Sequence, residues 1–270
     1  MPKPVRVLIP FGLGLNCEEE TAYAFRRVGA EVDLVHLTDL FHHRGPARIT
    51  DYQIVAFVGG FAYGDHIAGG FVLATRIRAH LEDDLREFLR RSGLVLGICN
   101  GFQTLVRLGL LPGSEGGSLD FVPRATLAAN DRLGYRDAWV TLGVEQESLC
   151  VWTRGLDRLE LPSRHGEGKF LVDSEQTLRA MERRGQIAVR YLDSTGRPTM
   201  SWPDNPNGSP GAVAGVCDPT GRIFGLMPHP DAYLHPSQHP AARRRKGWNQ
   251  ETDGLRLFRN GVEAAAELSP

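Results

Sequence analysis

The chain has 270 residues, of which 41% are hydrophobic and 23% are charged, and its formal net charge is −1. This composition is typical of a globular protein, and the length suits one large α/β domain or two small ones. A charge so close to neutral gives no indication of binding to nucleic acid or to a membrane surface. No apolar stretch approaches the roughly 18 residues of a membrane helix, and the first residues lack the pattern of a secretion signal. We therefore expect a cytoplasmic protein.

The four cysteines lie far apart in the sequence. They are Cys17, Cys99, Cys150 and Cys217. None of them belongs to a CxxC pair, so neither a zinc motif nor a thioredoxin-like motif is indicated. Free thiols are normal in a reducing compartment, which agrees with the cytoplasmic location expected above.

The first part of the chain alternates between strand-like and helix-like segments. Predicted strands cover residues 5–10, 32–36, 52–60 and 94–98, and predicted helices cover residues 18–28, residues 72–92 and the stretch after Cys99. Asn16 is expected to cap the first helix, because three glutamates follow it in the first turn. The alternation predicts βαβ units, and thus a mostly parallel central sheet with helices on both faces.

Beyond Pro112 the pattern changes to short β-like runs separated by turn residues. These runs are residues 138–144, 186–192, 211–217 and 222–227. They predict an antiparallel extension of the same α/β domain. Residues 232–252 form an extended segment before a terminal helix at 254–268. Because neither a long linker nor a repeat is found, we expect a single domain over residues 1–270.

The segment GLVLGICNG, residues 93–101, places Cys99 between a buried strand and a helix. Gly97 and Gly101 lie two residues away on either side and allow a sharp strand-to-helix turn. Such a turn projects its side chain into a cleft, and the N-terminus of the following helix favours a thiolate. The pattern fits either a cysteine nucleophile or a buried thiol that only fills space, and a nucleophile needs a base.

His229 is the candidate for that base. It follows the strand-like run 222–227 and lies between Pro228 and Pro230, which restrict the backbone on either side. Asp231 follows two residues later, where it can accept a hydrogen bond from the imidazole and hold one tautomer. A cysteine paired with an oriented histidine predicts the activated nucleophile of acyl-transfer chemistry.

Two other patterns are weaker indications of a site. The sequence GLG at residues 12–14 lacks the third glycine of a dinucleotide-binding fingerprint, because Cys17 stands in its place. The spacing of His229, His235 and His239 fits no helix face, and prolines interrupt it. No metal ligands and no nucleotide site are therefore predicted.

Five segments together resemble motifs of the class I (triad) glutamine amidotransferases. They are GGFAYGDHIAGG at 59–70, GICNGFQ at 97–103, HGEGKF at 165–170, NPNGS at 205–209 and GLMPHPD at 225–231. The first, third and fourth are similar to those of the branch that serves purine biosynthesis, the glutaminase subunits of phosphoribosylformylglycinamidine synthases. The resemblance covers nearly the whole chain and implies a flavodoxin-like α/β fold.

The resemblance also implies roles for three side chains. Cys99 would attack the side-chain amide of glutamine and form a glutamyl thioester, and His229 would move the proton. Asp231 would orient His229. The family usually has glutamate at this position, often followed by arginine, whereas this chain has the shorter Asp231 and then Ala232.

The remaining implied roles concern the oxyanion, the substrate and the partner. Backbone N–H groups of Gly60 and Asn100 would face the oxyanion, and Gln103 would help to bind glutamine. No cofactor is expected in this chain, because ATP and Mg²⁺ would belong to a synthetase (large) subunit that uses the ammonia. A small third subunit is expected in some complexes, and no nucleic acid or membrane partner is expected.

Two rival hypotheses remain at this point. One is a different enzyme on the same scaffold, either a DJ-1/PfpI-type cysteine protein or a γ-glutamyl hydrolase. The other is a non-catalytic subunit that serves assembly or regulation, and it is motivated by the departures at Asp231 and Ala232. Measuring ammonia release from glutamine, with and without a synthetase partner, separates the hypotheses.

Overall fold

The structure, a computed structural model, describes residues 3–244 and 251–268. Within these ranges the chain forms eleven strands and six α-helices. The strands are β1 (Arg6–Phe11), β2 (Glu31–His36), β3 (Ile54–Phe57), β4 (Leu94–Ile98), β5 (Ala125–Ala129), β6 (Arg136–Val144), β7 (Arg158–His165), β8 (Glu167–Val172), β9 (Ile187–Leu192), β10 (Val213–Cys217) and β11 (Ile223–Leu226). The helices are α1 (Glu18–Arg27), α2 (Leu37–Phe41), α3 (Phe71–Arg90), α4 (Asn100–Leu108), α5 (Glu175–Arg183) and α6 (Asp253–Leu268).

Nine of these strands form one mixed sheet in the order β2-β1-β3-β4-β11-β10-β9-β6-β7. The pairs from β2 to β11 are parallel, and the pairs from β11 to β7 are antiparallel. Strands β5 and β8 form a separate antiparallel pair. The predicted α/β class, with a parallel sheet and an antiparallel extension, is confirmed.

The helices cover both faces of the parallel half for a topological reason. The connection from β1 through α1 moves to one side of β1, whereas the connection from β3 through α3 moves the opposite way. Because crossovers between parallel strands are right-handed in nearly all proteins, this topology places α1 and α3 on opposite faces of the sheet. Accordingly α1 packs against α6, with the rings of Phe25 and Phe258 4.8 Å apart, and α3 packs against α4.

Several details differ from the sequence predictions, among them the short helix α2, which was not predicted. Cys17 caps α1, not Asn16, and its side chain makes no capping hydrogen bond. Strand β7 was not predicted, and neither was the pair formed by β5 and β8. Helix α5 was also missed, since Met181 is its one buried residue and the apolar periodicity is correspondingly weak.

The segment predicted at residues 232–252 is described except for residues 245–250. Its described part makes short turns and packs on the antiparallel half of the sheet. The ring of His239 lies 4.5 Å from that of Trp139, and the hydroxyl of Thr252 donates to the carbonyl of Tyr233 at 2.6 Å. In the part of the chain that is described, no helix has both the length and the apolar composition needed to span a bilayer.

Candidate active site

A cavity of about 400 Å³ opens at the carboxyl edge of the parallel strands. Its lining includes Cys17 from the loop after β1, Gly60 after β3, Cys99 after β4 and His229 after β11. The connection after β1 leads to β2 on one side and the connection after β3 leads to β4 on the other, so the loops after these two parallel strands separate and leave a crevice. Topology therefore brings the candidate thiol and the candidate base to the same crevice.

Cys99 lies at the turn between β4 and α4 with φ 52° and ψ −106°, a conformation that L-residues rarely adopt. Its N–H donates to the carbonyl of Leu226 at 2.9 Å, which ties this turn to β11. A Cβ at Gly101 would overlap the carbonyl of Phe57, so the close approach of α4 to β3 requires glycine there. The predicted strained turn is present, and it holds the thiol at the cavity wall.

His229 is held from two directions. Its backbone N–H donates to the carbonyl of Pro162 in β7 at 2.7 Å. Its Nδ1 lies 3.2 Å and 3.4 Å from the two carboxylate oxygens of Asp231, so the shorter aspartate does reach the ring. The Nε2 atom is buried and finds no hydrogen-bond partner among the described residues. The ring is therefore fixed at one edge and available at the other.

The Cys99 thiol is directed across the cavity in this structure. Its Sγ lies 3.6 Å from the carbonyl of Arg164 at the end of β7, and Cys99 is only 7% exposed. Catalytic hydrogen bonds are often long in the absence of substrate and shorten when it binds. The structure brings Cys99, His229 and Asp231 together, as the sequence predicted.

The charges around His229 set its protonation. Burial by itself lowers the pKa of His229, but the negative charges of Asp231 and Cys99 and hydrogen bonds to Asp231 and Cys17 outweigh it and raise the pKa well above 6.5. Paired with these groups, the buried imidazole is stabilised as imidazolium. That is the charge state of a base that has accepted a thiol proton.

Gln103 and Asn100 form one hydrogen-bonded network on the first turn of α4. The amide of Gln103 donates to the carbonyl of Glu167 at 2.7 Å and accepts from Asn100 at 2.9 Å. Asn100 also donates to Asp65 at 2.7 Å, and burial raises the pKa of that carboxyl although the bond from Asn100 opposes the shift. Both amides are thus rigidly placed in the cavity region.

The two backbone N–H groups that the sequence assigns to an oxyanion site belong to Gly60 and Asn100. Leu15 and Gly60 lie opposite each other in an isolated antiparallel bridge. The two hydrogen bonds of this bridge run from the N–H of Asn16 to the carbonyl of Gly59 and from the N–H of Phe61 to the carbonyl of Gly14. This pairing leaves the Gly60 N–H outside the bridge. Asn100 is the first residue of α4, where an N–H has no acceptor within the helix.

Sequence reasoning assigned no site role to most of the other residues that line the cavity, among them Cys17, Tyr135, Arg164 and His165. His165 is buried between Ser163 and Asn130, and burial lowers its pKa to about 3, so it stays neutral. Cys17 carried a usable signal. It follows β1 as Cys99 follows β4, and the carboxyl ends of neighbouring parallel strands meet at one edge of a sheet.

Comparison with known proteins places the chain among amidotransferases. Residues 4–263 match the model of the CobB/CobQ-like glutamine amidotransferase domain. Phosphoribosylformylglycinamidine synthase subunit PurQ of Methanococcus maripaludis is 41% identical over 270 residues, covering 96% of each chain. The protein of the same name from Dehalococcoides mccartyi is 40% identical, covering 98% of this chain and 99% of its own.

Solved structures support the fold. A chain of PurLQS from Thermotoga maritima matches with a TM-score of 0.70 at 24% identity, covering 97% of this chain and 99% of that one. A glutamine amidotransferase from the same organism matches with a TM-score of 0.55 at 17% identity, covering 98% and 99%. The family match spans nearly the whole sequence, and the chain belongs to the CobB/CobQ-like glutamine amidotransferase domain family.

Proposed function

We propose that the chain is the glutaminase subunit of a phosphoribosylformylglycinamidine synthase. It hydrolyses glutamine to glutamate and supplies the ammonia to a synthetase subunit. The observation that carries the proposal is the meeting of the strained Cys99 turn with the His229–Asp231 pair in one cavity. The names of relatives about 40% identical over nearly their full length support this particular amidotransferase.

The first half of the reaction releases ammonia. The Cys99 thiolate attacks the side-chain amide carbon of glutamine, and the carbonyl oxygen becomes an oxyanion that the N–H groups of Gly60 and Asn100 stabilise. His229, protonated by the Cys99 thiol, gives that proton to the amide nitrogen. The C–N bond breaks, ammonia leaves, and a glutamyl thioester remains on Cys99.

The second half of the reaction restores the thiol. His229 takes a proton from water, and the resulting hydroxide attacks the thioester carbon. The C–S bond breaks, glutamate leaves, and the proton returns to Cys99. Asp231 holds the Nδ1–H tautomer and stabilises the imidazolium in both halves. Gln103 helps to bind glutamine, because its amide is fixed beside the nucleophile by Asn100 and Glu167.

The ammonia acceptor lies on another polypeptide. We assign ATP and Mg²⁺ to a synthetase (large) subunit, and no cofactor to this chain. The name of the PurLQS complex supports an assembly of several subunits, and we propose that a small third subunit joins the synthetase in some complexes. A role in purine biosynthesis also favours the cytoplasmic location expected from the sequence.

The test is ammonia release from glutamine, measured with and without a synthetase subunit. We expect release that requires Cys99 and increases in the assembled complex. Cys99→Ala should abolish glutamine-dependent synthesis and leave synthesis from added ammonia intact, whereas Cys150→Ala, a buried cysteine outside the cavity lining, should leave both intact. Hydrolysis by Cys99→Ala at the wild-type rate refutes the mechanism. If the wild-type complex does not hydrolyse glutamine, the result supports a non-catalytic subunit. If the chain hydrolyses glutamine but its ammonia supports no synthesis by a synthetase subunit, the result supports a different hydrolase.

A further inference from the structure

A second thiol lies against the edge of His229 that faces Asp231. The Sγ of Cys17, one ring nitrogen of His229 and one carboxylate oxygen of Asp231 lie within 4.8 Å of one another, and all three residues are buried. Thiolate, imidazole and carboxylate are the donor atoms that zinc prefers in proteins. Nothing in the glutaminase mechanism uses Cys17.

The spacing of two of these donors already fits a tetrahedral ion. The Nδ1 of His229 and the nearer oxygen of Asp231 are 3.2 Å apart, close to the roughly 3.3 Å between two ligand atoms bound to zinc at about 2.0–2.1 Å. The Cys17 thiol must move towards them, and it exchanges its hydrogen bonds to His229 and, at 3.3 Å, to the side chain of Asn16 for a bond to the metal. Cys17 and His229 both line the cavity, which provides a route for the ion.

We propose that Zn²⁺ binds to Cys17, His229 and Asp231 and reversibly inhibits the glutaminase reaction. This inhibition rests on the function proposed above, whereas the binding itself does not. Water from the cavity supplies the fourth ligand. The site favours thiophilic ions over Mg²⁺ and Ca²⁺, because those ions prefer oxygen ligands alone.

The proton balance explains the inhibition. In the absence of metal the Cys17 thiol carries a proton, which it donates to the side-chain oxygen of Asn16. Zinc displaces that proton to solvent and binds the thiolate. Bound at Nδ1 of a neutral imidazole, zinc also forces the remaining ring proton onto Nε2. An Nε2 that carries a proton cannot accept one from Cys99, so the thiolate does not form through His229.

The direct test uses Co²⁺ as a spectroscopic substitute for zinc, in full-length protein carrying Cys99→Ala. Removing Cys99 excludes the nucleophile as a source of thiolate. We expect one equivalent of Co²⁺ to produce a thiolate-to-cobalt charge-transfer band, and Zn²⁺ to abolish the band by displacement. Adding Cys17→Ser should remove the band, whereas adding Cys150→Ser, a buried thiol beside Cys217 and outside the cavity lining, should leave it unchanged.

The second arm measures inhibition in the assembled complex with Cys99 present. Zn²⁺ should inhibit glutamine hydrolysis, a chelator should restore it, and Cys17→Ser should raise the inhibitory zinc concentration at least about tenfold. Circular dichroism establishes that each variant is folded, and Cys17→Ala replaces Cys17→Ser if the serine variant is not. Absence of the band, or its persistence without Cys17, overturns the site. A charge-transfer band without inhibition by Zn²⁺ overturns the proposed inhibition. If Zn²⁺ inhibits Cys17→Ser as strongly as it inhibits the wild type, the inhibitory zinc binds at Cys99 and not at Cys17.

Discussion

The parallel and antiparallel halves of the main sheet contribute to the site in different ways. The parallel half supplies the Cys99 turn, which is built from contiguous residues and from the close packing of Gly101 on β3. The antiparallel half supplies backbone carbonyls from β7, one of which accepts from the N–H of His229 while another lies beside the Cys99 thiol. The nucleophile is thus placed by local structure, whereas the base depends on a strand distant in sequence.

The largest expected effect concerns Asp231, which links the two halves by orienting His229. Asp231→Asn preserves the shape but favours the wrong tautomer and removes the charge that stabilises the imidazolium. By analogy with other triads we expect kcat/KM for glutamine in the assembled complex to fall about 10³–10⁴-fold. A fall of less than about tenfold, or roughly 1.4 kcal/mol of transition-state stabilisation, removes Asp231 from the mechanism and leaves a Cys99–His229 dyad.

The matched variant for this comparison is Asp231→Glu, which restores the residue usual in the family. Because the aspartate already reaches Nδ1 at 3.2 Å, the longer side chain has no missing contact to restore. We therefore expect no gain in kcat/KM. A clear gain would show that the 3.2 Å contact is not the one that operates during turnover.

The second prediction distinguishes the two cavity thiols. A thiol-directed glutamine analogue should label Cys99 well ahead of Cys17, although both line the cavity, because Cys99 lies at the strained turn before α4 and Cys17 does not. Cys150 and Cys217 lie outside the cavity lining and should react slowest. Peptide mass spectrometry during a time course provides the measurement. Preferential labelling of Cys17 would show that the nucleophile follows β1 and not β4.

The third prediction follows from the pKa of His229, which burial lowers and the charges of Asp231 and Cys99 raise by more, to well above 6.5. A group whose pKa is raised on folding contributes stability that is complete below its unfolded-state pKa and lost as pH rises through the folded-state value. Asp231→Asn removes part of that upward shift. The difference in free energy of unfolding between wild type and variant should therefore shrink as pH rises above 6.5.

Chemical denaturation of both proteins over a series of pH values gives this difference. Asp65→Asn is the control, because the carboxyl that it removes is hydrogen-bonded to Asn100 and not to His229, and burial raises the pKa of that carboxyl. A wild-type-to-Asp231→Asn difference that stays constant with pH contradicts the proposed coupling of Asp231 to His229.

Much of the parallel half could be predicted because its signals are local. Apolar runs marked β1, β3 and β4, helical spacing marked α3, and glycines marked the Cys99 turn. The antiparallel half was harder, since β7 contains Pro162 and several charged residues, which argue against a strand. The structure accommodates the proline because β7 lies at the edge of the sheet. The hydrogen bond from the N–H of His229 to the carbonyl of Pro162 could not be predicted from the sequence, because it joins residues far apart in the chain.

The smallest expected effect concerns this edge strand. Ser163→Ala removes the hydroxyl that lies 3.0 Å from Nε2 of the buried His165. Leaving a buried ring nitrogen without its partner should lower the free energy of unfolding by about 1–3 kcal/mol, while kcat/KM changes little because Ser163 touches neither His229 nor Cys99 in a hydrogen bond. Ser201→Ala, at an exposed position, is the control. Equal stability of both variants contradicts a structural role for the Ser163–His165 contact.

The most direct measurement of the central claim is acid quenching of the assembled complex during turnover of glutamine, followed by mass spectrometry of the cysteine peptides. The account predicts a glutamyl adduct on Cys99, formed during turnover and absent when glutamine is omitted. Turnover of glutamine with the adduct on Cys17, or turnover by a Cys99→Ala protein, would contradict it.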